Sequence, residues 1–166
     1  APTSETIGAI ACLPRVPELR LSLLLHGLDQ TSVREVLREL RLSGKQITSV
    51  TSILRGAEYT VTDAHSARRL IAATGIYAAD AAMLSELLGI SPQGAYELTT
   101  KQENTPCSVK DLKINGKVLS ELGIRGKAIG QTLEMLFDMV IADPELNNEN
   151  DLLKIVKEKE QQNAGT

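Results

Sequence analysis

Apolar residues recur along most of the chain with the three- and four-residue spacing of an α-helix. In the clearest case Val33, Val36, Leu37 and Leu40 form one apolar stripe, the pattern of a helix with one buried face. Segment 18–28 is apolar on nearly every side and predicts a mostly buried helix. In all, the spacing predicts helices over residues 18–28, 33–41, 44–56, 64–74, 77–88, 116–122 and 125–142, with a final helix beyond residue 148.

Capping residues and glycines set the predicted helix boundaries. Thr31 or Ser32 is expected to cap the second helix, because hydroxyl side chains accept the free N–H groups of a first turn. Ser43 and Gln46 have the spacing of a capping box at the start of the third. Further predicted caps are Asp63, Asn115 and either Asn148 or Asn150, and the predicted stops are Gly56, Gly75, Gly89, Gly123 and the pair Asp143-Pro144.

Two stretches interrupt this helical pattern. Residues 58–62 (EYTVT) alternate like a short strand, but nothing nearby offers a partner, so we interpret them as a connector. The polar stretch 99–108, which contains Pro106, is the best candidate boundary between two lobes. We therefore predict a helical region over residues 1–100 and a smaller one over 101–166.

Composition supports an all-α fold. The 166 residues include 42% hydrophobic and 23% charged residues, close to the globular norm, but only 2% aromatic residues. A core built from Leu, Ile, Val, Ala and Met favours packed helices over a sheet, since sheets prefer β-branched and aromatic faces. The prediction is about eight helices, packed as a helical body with a small C-terminal tail lobe.

Several classes of protein are disfavoured. Cys12 and Cys107 lie far apart with no nearby histidine, which argues against a zinc site or a disulfide framework and makes the cytoplasm the expected compartment. No run of about 20 apolar residues predicts a membrane span, and the first residues lack the basic start of a signal peptide. Because the chain does not begin with Met, we expect it to be a piece of a longer protein.

Charge is unevenly distributed although the net charge is only −3. Residues 101–127 hold six basic against three acidic residues, whereas residues 128–153 hold six acidic and no basic ones. Such segments could fold into one basic and one acidic face, or they could be an ordinary solvated surface.

One local motif suggests chemistry, the sequence LGIRGKAIG over residues 122–130. A helix that starts after a glycine turn presents free N–H groups and a partial positive charge, so it can hold a phosphate. Alternatively, Gly123 is a helix stop, Gly126 a turn residue and Gly130 a close-packing site. The candidate RNA-binding residues are Lys113, Lys117, Gly123, Arg125, Gly126, Lys127 and Gly130.

Catalytic motifs are missing from the sequence. His26 and His65 have no carboxylate or cysteine at metal-ligand spacing, and we expect His26 to be a packed residue with one hydrogen bond. The chain contains neither a GxxxxGKS phosphate loop nor GxGxxG nor GxSxG. The sequence therefore predicts no catalytic residue and no metal or cofactor in this chain.

Two blocks of sequence resemble the bacterial class II CCA-adding enzymes, the tRNA nucleotidyltransferases related to poly(A) polymerase. The more specific block joins DLKINGKVLSELGI at 111–124 to DPELNN at 143–148. PELRLSLLL at 17–25 and VREVLRELRLSGKQI at 33–47 are similar to that family's helical middle region. The resemblance covers roughly residues 15–55 and 109–153.

This resemblance implies the body and tail of a four-part enzyme, without its catalytic head. In such enzymes the head uses Mg²⁺ with CTP and ATP, while body and tail bind the elbow of tRNA, on the acceptor and T-arm side. The implied partner is tRNA, recognised by backbone and shape.

Two other hypotheses come from different classes. Exposed apolar surface on the leucine-rich helices would indicate a protein-interaction or dimerisation module, and so a homo-oligomer. The His26 segment could instead be the remnant of a metal-dependent phosphohydrolase.

Overall fold

The computed structural model describes residue 10, residues 13–102 and residues 105–164, with side chains described to residue 161. It confirms the all-α prediction. Within these residues three short 3₁₀ turns accompany the helices: Gly75–Tyr77, Val109–Asp111 and Pro144–Leu146. The α-helices of the described residues are α1 (Pro17–Leu25), α2 (Gln30–Glu39), α3 (Gly44–Ala57), α4 (Ala64–Thr74), α5 (Ala78–Leu87), α6 (Ala95–Thr100), α7 (Gly116–Glu121), α8 (Lys127–Ala142) and α9 (Glu149–Ala164).

The chain divides into two compact units, Ala1–Glu103 and Asn104–Thr166. In the first unit α3 packs most extensively against α5 and also contacts α1 and α2. Its core is aliphatic, with fully buried Leu19, Leu37, Ile53, Leu70 and Leu84. Small and branched aliphatic side chains therefore fill the core in place of aromatic ones.

Gly56 is part of this packing and does not end a helix. Helix α3 continues through it to Ala57, so the predicted stop is wrong. A β-carbon at Gly56 would lie 2.6 Å from the Ala81 Cβ and 2.8 Å from the Thr74 Cγ2. The missing side chain therefore allows α3 to approach α4 and α5 closely.

The boundary between α1 and α2 differs from the prediction. Helix α1 ends at Leu25, because His26 is extended and Gly27 has φ of 86°. Asp29, rather than Thr31 or Ser32, caps α2, and its carboxylate accepts the N–H groups of both residues. Hydrogen bonds from Ser32 hold the pKa of Asp29 below its ordinary value. A carboxylate two residues upstream thus replaces the predicted hydroxyl cap.

The other predicted helix starts of the first unit are mostly correct. Ser43 and Gln46 form the capping box at α3, and Asp63 with Ser66 forms one at α4. Gly75 ends α4 with φ of 58°. The fifth helix begins at Ala78, one residue later than predicted, after the 3₁₀ turn.

The connector 58–62 contains no strand, as predicted, and a buried polar network holds it. Ser91 Oγ accepts the Val61 N–H at 2.9 Å and lies 2.8 Å from Ser85 Oγ. Ser85 Oγ donates to the Tyr59 carbonyl at 3.0 Å. Two serines thus supply the hydrogen bonds that a neighbouring strand would otherwise provide.

Replacing Ser91 with Ala tests this network. We expect the free energy of unfolding to fall by about 1–2 kcal/mol, because the buried Val61 N–H loses its acceptor. Urea denaturation followed by circular dichroism measures the change. Ser120→Ala is the matched control, since this exposed hydroxyl only donates to a carbonyl of its own helix. Equal stability of wild type and Ser91→Ala would contradict the assigned role.

Helix α6 was not predicted from the sequence. Gly94 precedes it, and Gly94 has no side chain to cap the helix. The Glu86 carboxylate of α5 supplies the cap instead, accepting the Gly94 N–H at 3.0 Å and the Tyr96 N–H at 3.1 Å. This cap arises from tertiary packing, so the local sequence carries no capping signal.

One described stretch, 64–87, is long and apolar enough to cross a membrane by length and composition alone. In the structure it is not one continuous helix, because the turn at Gly75 separates α4 from α5. Ala67, Leu70, Ala81 and Ala82 of these helices are fully buried in the first unit. The apolar composition of this stretch is that of two core helices.

The second unit has its own core beneath α7, α8 and α9. Leu119, Leu136 and Leu152 are fully buried there, and Val140 and Val156 pack with them. Phe137 packs at the edge of the same cluster. These contacts fix α7 and the start of α8, where the candidate RNA-binding residues lie.

Candidate nucleic-acid interface

Helix α7 begins and ends as predicted. The Asn115 side chain caps it by accepting the Lys117 N–H at 2.9 Å and the Val118 N–H at 3.3 Å. At its end the Ile124 N–H donates to the Leu119 carbonyl at 3.1 Å, which with Gly123 at φ 92° forms a Schellman motif. Leu119 and Ile124 are both buried, so the turn after α7 is anchored in the core.

The start of α8 is exposed and has no side-chain cap. Gly126 precedes it with φ 60° and ψ −133°, a conformation that is open essentially to glycine alone. The N–H groups of Lys127 and Ala128 have no acceptor among the residues that the structure describes. The partly positive end of a sixteen-residue helix is therefore free to meet an anion.

The starts of α7 and α8 lie against each other. A β-carbon at Gly116, the first residue of α7, would lie 3.1 Å from the Ile129 Cγ2 in the first turn of α8. Lys117 follows Gly116 directly, and Lys127 lies two residues before Ile129. The fold therefore brings two stretches of positive charge to one corner, although ten residues separate them in sequence.

We call the seven predicted residues together the basic corner. All seven are exposed. Within the described part of the chain, the side chains of Lys113, Lys117, Arg125 and Lys127 form no ion pair or hydrogen bond. Their charge is therefore not neutralised by this chain. Whether these residues bind RNA remains a prediction.

A comparison with known protein families matches most of this chain. A family model described as tRNA nucleotidyltransferase domain 2 matches residues 18–156. The chain belongs to this family. The resemblance to the CCA-adding tRNA nucleotidyltransferases is thus confirmed. No curated protein and no solved structure matches the chain.

The tRNA nucleotidyltransferase domain 2 match spans more than the two blocks recognised from sequence. It includes residues 56–108, which carry α4, α5 and α6. Those helices are rich in alanine and leucine and hold no motif with a chemical meaning. Their membership was missed because their residues serve packing rather than chemistry.

The structure assigns a role to the DPELN phrase that the sequence did not reveal. Asn147 Oδ1 accepts the Lys113 N–H at 3.0 Å, and Asn147 Nδ2 donates to the Asp111 carbonyl at 3.2 Å. One side chain thus holds the backbone that carries Lys113, a residue of the basic corner. No local signal in the sequence indicates this contact, because Lys113 and Asn147 lie 34 positions apart.

The first and last residues of the segment DPELNN, residues 143–148, set helix boundaries. Asp143 accepts the Glu145 N–H and caps the 3₁₀ turn that begins at Pro144. Asn148, rather than Asn150, caps α9, with its Oδ1 accepting the Asp151 N–H at 3.0 Å. The phrase therefore ends α8, starts α9 and positions Lys113.

The glycines of the basic corner differ in role. The conformations of Gly123 and Gly126 agree with their alternative interpretations as helix stop and turn residue. For Gly130 the close-packing alternative is wrong: among the described residues, and apart from the backbone of α8 itself, no heavy atom lies within 4 Å of a β-carbon built there. An exposed glycine inside a helix is destabilising relative to alanine, and the fold shows no compensating contact.

Two acidic residues, Asp111 and Glu121, are close in sequence to the lysines of the basic corner. The Asp111 carboxylate accepts the N–H groups of Cys107 and Ser108, each at 2.9 Å. Burial, followed by the Asp111 charge, raises the pKa of the Cys107 thiol. Glu121 is exposed one helical turn after Lys117 on α7, but within the described residues it forms no ion pair with that lysine. The cations of the basic corner therefore have no ion-pair partner in the part of the chain that the structure describes.

The described residues contain no group of three or more His, Cys, Asp and Glu side chains that could hold a metal ion. His26 makes one hydrogen bond, from Nδ1 to the Leu23 carbonyl at 2.6 Å, but it is exposed rather than packed. The phosphohydrolase hypothesis therefore gains no support from the position of His26.

Proposed function

We propose that this chain is the tRNA-binding part of a CCA-adding tRNA nucleotidyltransferase. The basic corner holds the phosphate backbone at the tRNA elbow. A catalytic head outside these residues adds nucleotides to the 3′ end, using Mg²⁺ with CTP and ATP. Membership in the tRNA nucleotidyltransferase family supports the substrate class.

The observation that carries the proposal is the uncapped start of α8, which lies against the first residue of α7 at an exposed corner with four unneutralised cations. Helix N-termini bind phosphate through backbone N–H groups, and lysine and arginine add charge. Such contacts fix the position of a nucleic acid without reading its bases. This is the chemistry expected of a protein that must accept many different tRNA sequences.

The aromatic residues support backbone recognition over base stacking. Sequence-specific RNA binding relies on bases stacked on aromatic side chains. Phe137 is the one aromatic residue in the range 104–166, and it packs against the core of the second unit. The basic corner therefore has no ring on which a base could stack.

Gly130→Ala separates a structural role of this residue from a binding role. We expect the thermal midpoint to rise by about 2–4 °C, because alanine is about 1 kcal/mol better than glycine in a helix. We expect tRNA affinity to fall about tenfold, because a β-carbon would hinder the approach of a phosphate to the first turn of α8. Thermal unfolding and fluorescence anisotropy with labelled tRNA measure the two effects.

Both readouts are needed from the same preparation. A stabilised variant that binds tRNA as tightly as wild type would contradict the proposed phosphate site at Gly130. A variant that loses both stability and binding would show that Gly130 serves the fold, contrary to the open space around it.

A further inference from the structure

An asparagine–glycine pair, Asn115 and Gly116, lies at the start of α7 beside the basic corner. In such a pair the glycine backbone nitrogen can attack the asparagine side-chain carbon, because glycine has no β-carbon to obstruct the approach. Asn115 is exposed, so water reaches the pair. No other asparagine of the sequence is followed by glycine. The pair therefore has a chemistry of its own, apart from its role in starting the helix.

The attacking nitrogen of Gly116 is not engaged elsewhere. Its N–H group has no acceptor among the residues that the structure describes, so no hydrogen bond has to break before it reacts. Packing also keeps a glycine at this position, since a β-carbon there would lie 3.1 Å from the Ile129 Cγ2. A larger residue after Asn115 would hinder the attack, but the close approach of α7 and α8 opposes that substitution.

The side-chain carbonyl of Asn115 is polarised for this attack. Its Oδ1 accepts the Lys117 N–H at 2.9 Å and the Val118 N–H at 3.3 Å. Two backbone donors on one carbonyl oxygen stabilise the negative charge that forms there when a nucleophile adds to the carbon. The Asn115 Nδ2 has no hydrogen-bond partner in the described part of the chain, so it is free to leave as ammonia.

Asn148, the asparagine that caps α9, lacks two of these features. Its Oδ1 likewise accepts an N–H, that of Asp151, at 3.0 Å. Its Nδ2, however, is held by the Glu145 carbonyl at 2.9 Å and by the Asp151 carboxylate. The residue that follows is Glu149, whose side chain hinders attack by its backbone nitrogen. Asn148 is therefore a control for Asn115 within the same chain.

We propose that Asn115 is a site of spontaneous deamidation, which lowers the charge of the basic corner. The Gly116 nitrogen loses its proton to solvent and bonds to the Asn115 Cγ, and Nδ2 leaves as ammonia, which gives a cyclic imide. Water then opens the ring, adding a hydroxyl group to one carbonyl carbon and a proton to the released nitrogen. Opening at Cγ gives aspartate, and opening at the backbone carbonyl gives isoaspartate. Overall, asparagine and water become an acidic residue and ammonia, and no atom is oxidised or reduced.

Either product places one new negative charge beside Lys117. An aspartate still caps α7, because its carboxylate accepts the same two N–H groups. Isoaspartate lengthens the backbone by one carbon and disturbs the cap. The new charge repels an RNA phosphate held at the basic corner, a consequence that rests on the proposed function. Deamidation therefore weakens tRNA binding in one direction only, as the protein ages.

Peptide mapping by mass spectrometry tests the reaction without any RNA. The wild-type chain is incubated in warm, mildly alkaline buffer, and the peptides that contain Asn115 and Asn148 are compared with those of a fresh sample. We expect a mass gain of about 1 Da at Asn115 and none at Asn148. Asn115→Ser, which keeps a hydroxyl cap, should show no gain. Equal rates at the two asparagines, or reaction at Asn115 only after the chain is unfolded in urea, would overturn the proposal.

Asn115→Asp tests the consequence for binding. We expect its thermal midpoint to stay within about 2 °C of wild type, because the cap is retained. We expect the dissociation constant for tRNA to rise about fivefold at about 0.1 M salt, since one added negative charge offsets roughly one phosphate contact. Asn150→Asp is the matched control, the same change at an exposed position of α9 outside the basic corner, and it should bind as wild type does.

The two readouts separate this inference from the proposed function. If wild type binds tRNA and Asn115→Asp binds equally well, the effect of deamidation on binding is wrong and the proposed function stands. An equal loss in Asn150→Asp would show a general charge effect and would also overturn it. If wild type does not bind tRNA, the proposed function fails, while the mass gain at Asn115 still decides whether the reaction occurs.

Discussion

Gly56→Ala is expected to destabilise the first unit by about 3 kcal/mol, near the upper end of the range for overpacked cores. The new β-carbon would lie 2.6 Å from that of Ala81, a distance that real β-carbons do not adopt. Ala81 is fully buried on α5, and its side chain is a single methyl group that cannot rotate out of the way. Relief requires α3 and α5 to separate, which loosens the whole aliphatic core. Thermal unfolding should show a midpoint lower by roughly 10 °C.

Gly130→Ala is the matched control for this prediction. It makes the same chemical change inside a helix, but at a position with open space, and it is expected to stabilise. Opposite signs for the two substitutions would show that contact, rather than helix propensity, decides the effect. A Gly56→Ala variant as stable as wild type would contradict the close approach of α3 and α5.

Lys117→Glu/Lys127→Glu is expected to weaken tRNA binding about 100-fold at about 0.1 M salt. Loss of one phosphate contact reduces affinity by somewhat less than tenfold at this salt, and two reversed charges also repel the backbone. The loss should be the same for tRNAs of different sequence, because phosphate contacts carry no base information. Fluorescence anisotropy titration with two labelled tRNAs measures it.

Lys154→Glu/Lys157→Glu controls for net charge. Both lysines are exposed on α9, and the reversal changes the charge by the same amount. We expect affinity to stay within about threefold of wild type, because neither lysine belongs to the basic corner and salt weakens attraction that acts at longer range. Equal losses in the two double variants would indicate non-specific attraction and contradict a defined corner.

Most of the fold follows from local signals in the sequence. Capping side chains at Ser43, Asp63 and Asn115 start helices as predicted, because each contact lies within three residues of the cap. The stops at Gly75 and Gly123 are also local, since positive φ favours glycine. At the start of α2 the predicted hydroxyl cap at Thr31 or Ser32 is wrong, because the Asp29 carboxylate accepts the free N–H groups instead.

Features that depend on distant residues could not be predicted. The cap of α6 comes from Glu86, and the support of Lys113 comes from Asn147, 34 residues away in sequence. Gly56 has the sequence signature of a helix stop, but its function is set by Ala81 on another helix.

The candidate site also combines features that the local sequence predicts with features that depend on distant residues. The sequence identified its cations and glycines, since lysines beside a glycine turn are a recognisable pattern. It could not show that the starts of α7 and α8 meet, because the contact between Gly116 and Ile129 is a product of core packing. That contact unites two short basic segments into one surface.

The most direct test is titration of labelled tRNA with the wild-type chain at increasing salt. The account predicts binding at about 50 mM salt, with a plot of log affinity against log salt that has a slope of about −3 or steeper, as four or more phosphate contacts require. Two tRNAs of unrelated sequence should give the same slope. Absence of binding at low salt, or affinity that does not change with salt, would contradict recognition of the tRNA backbone.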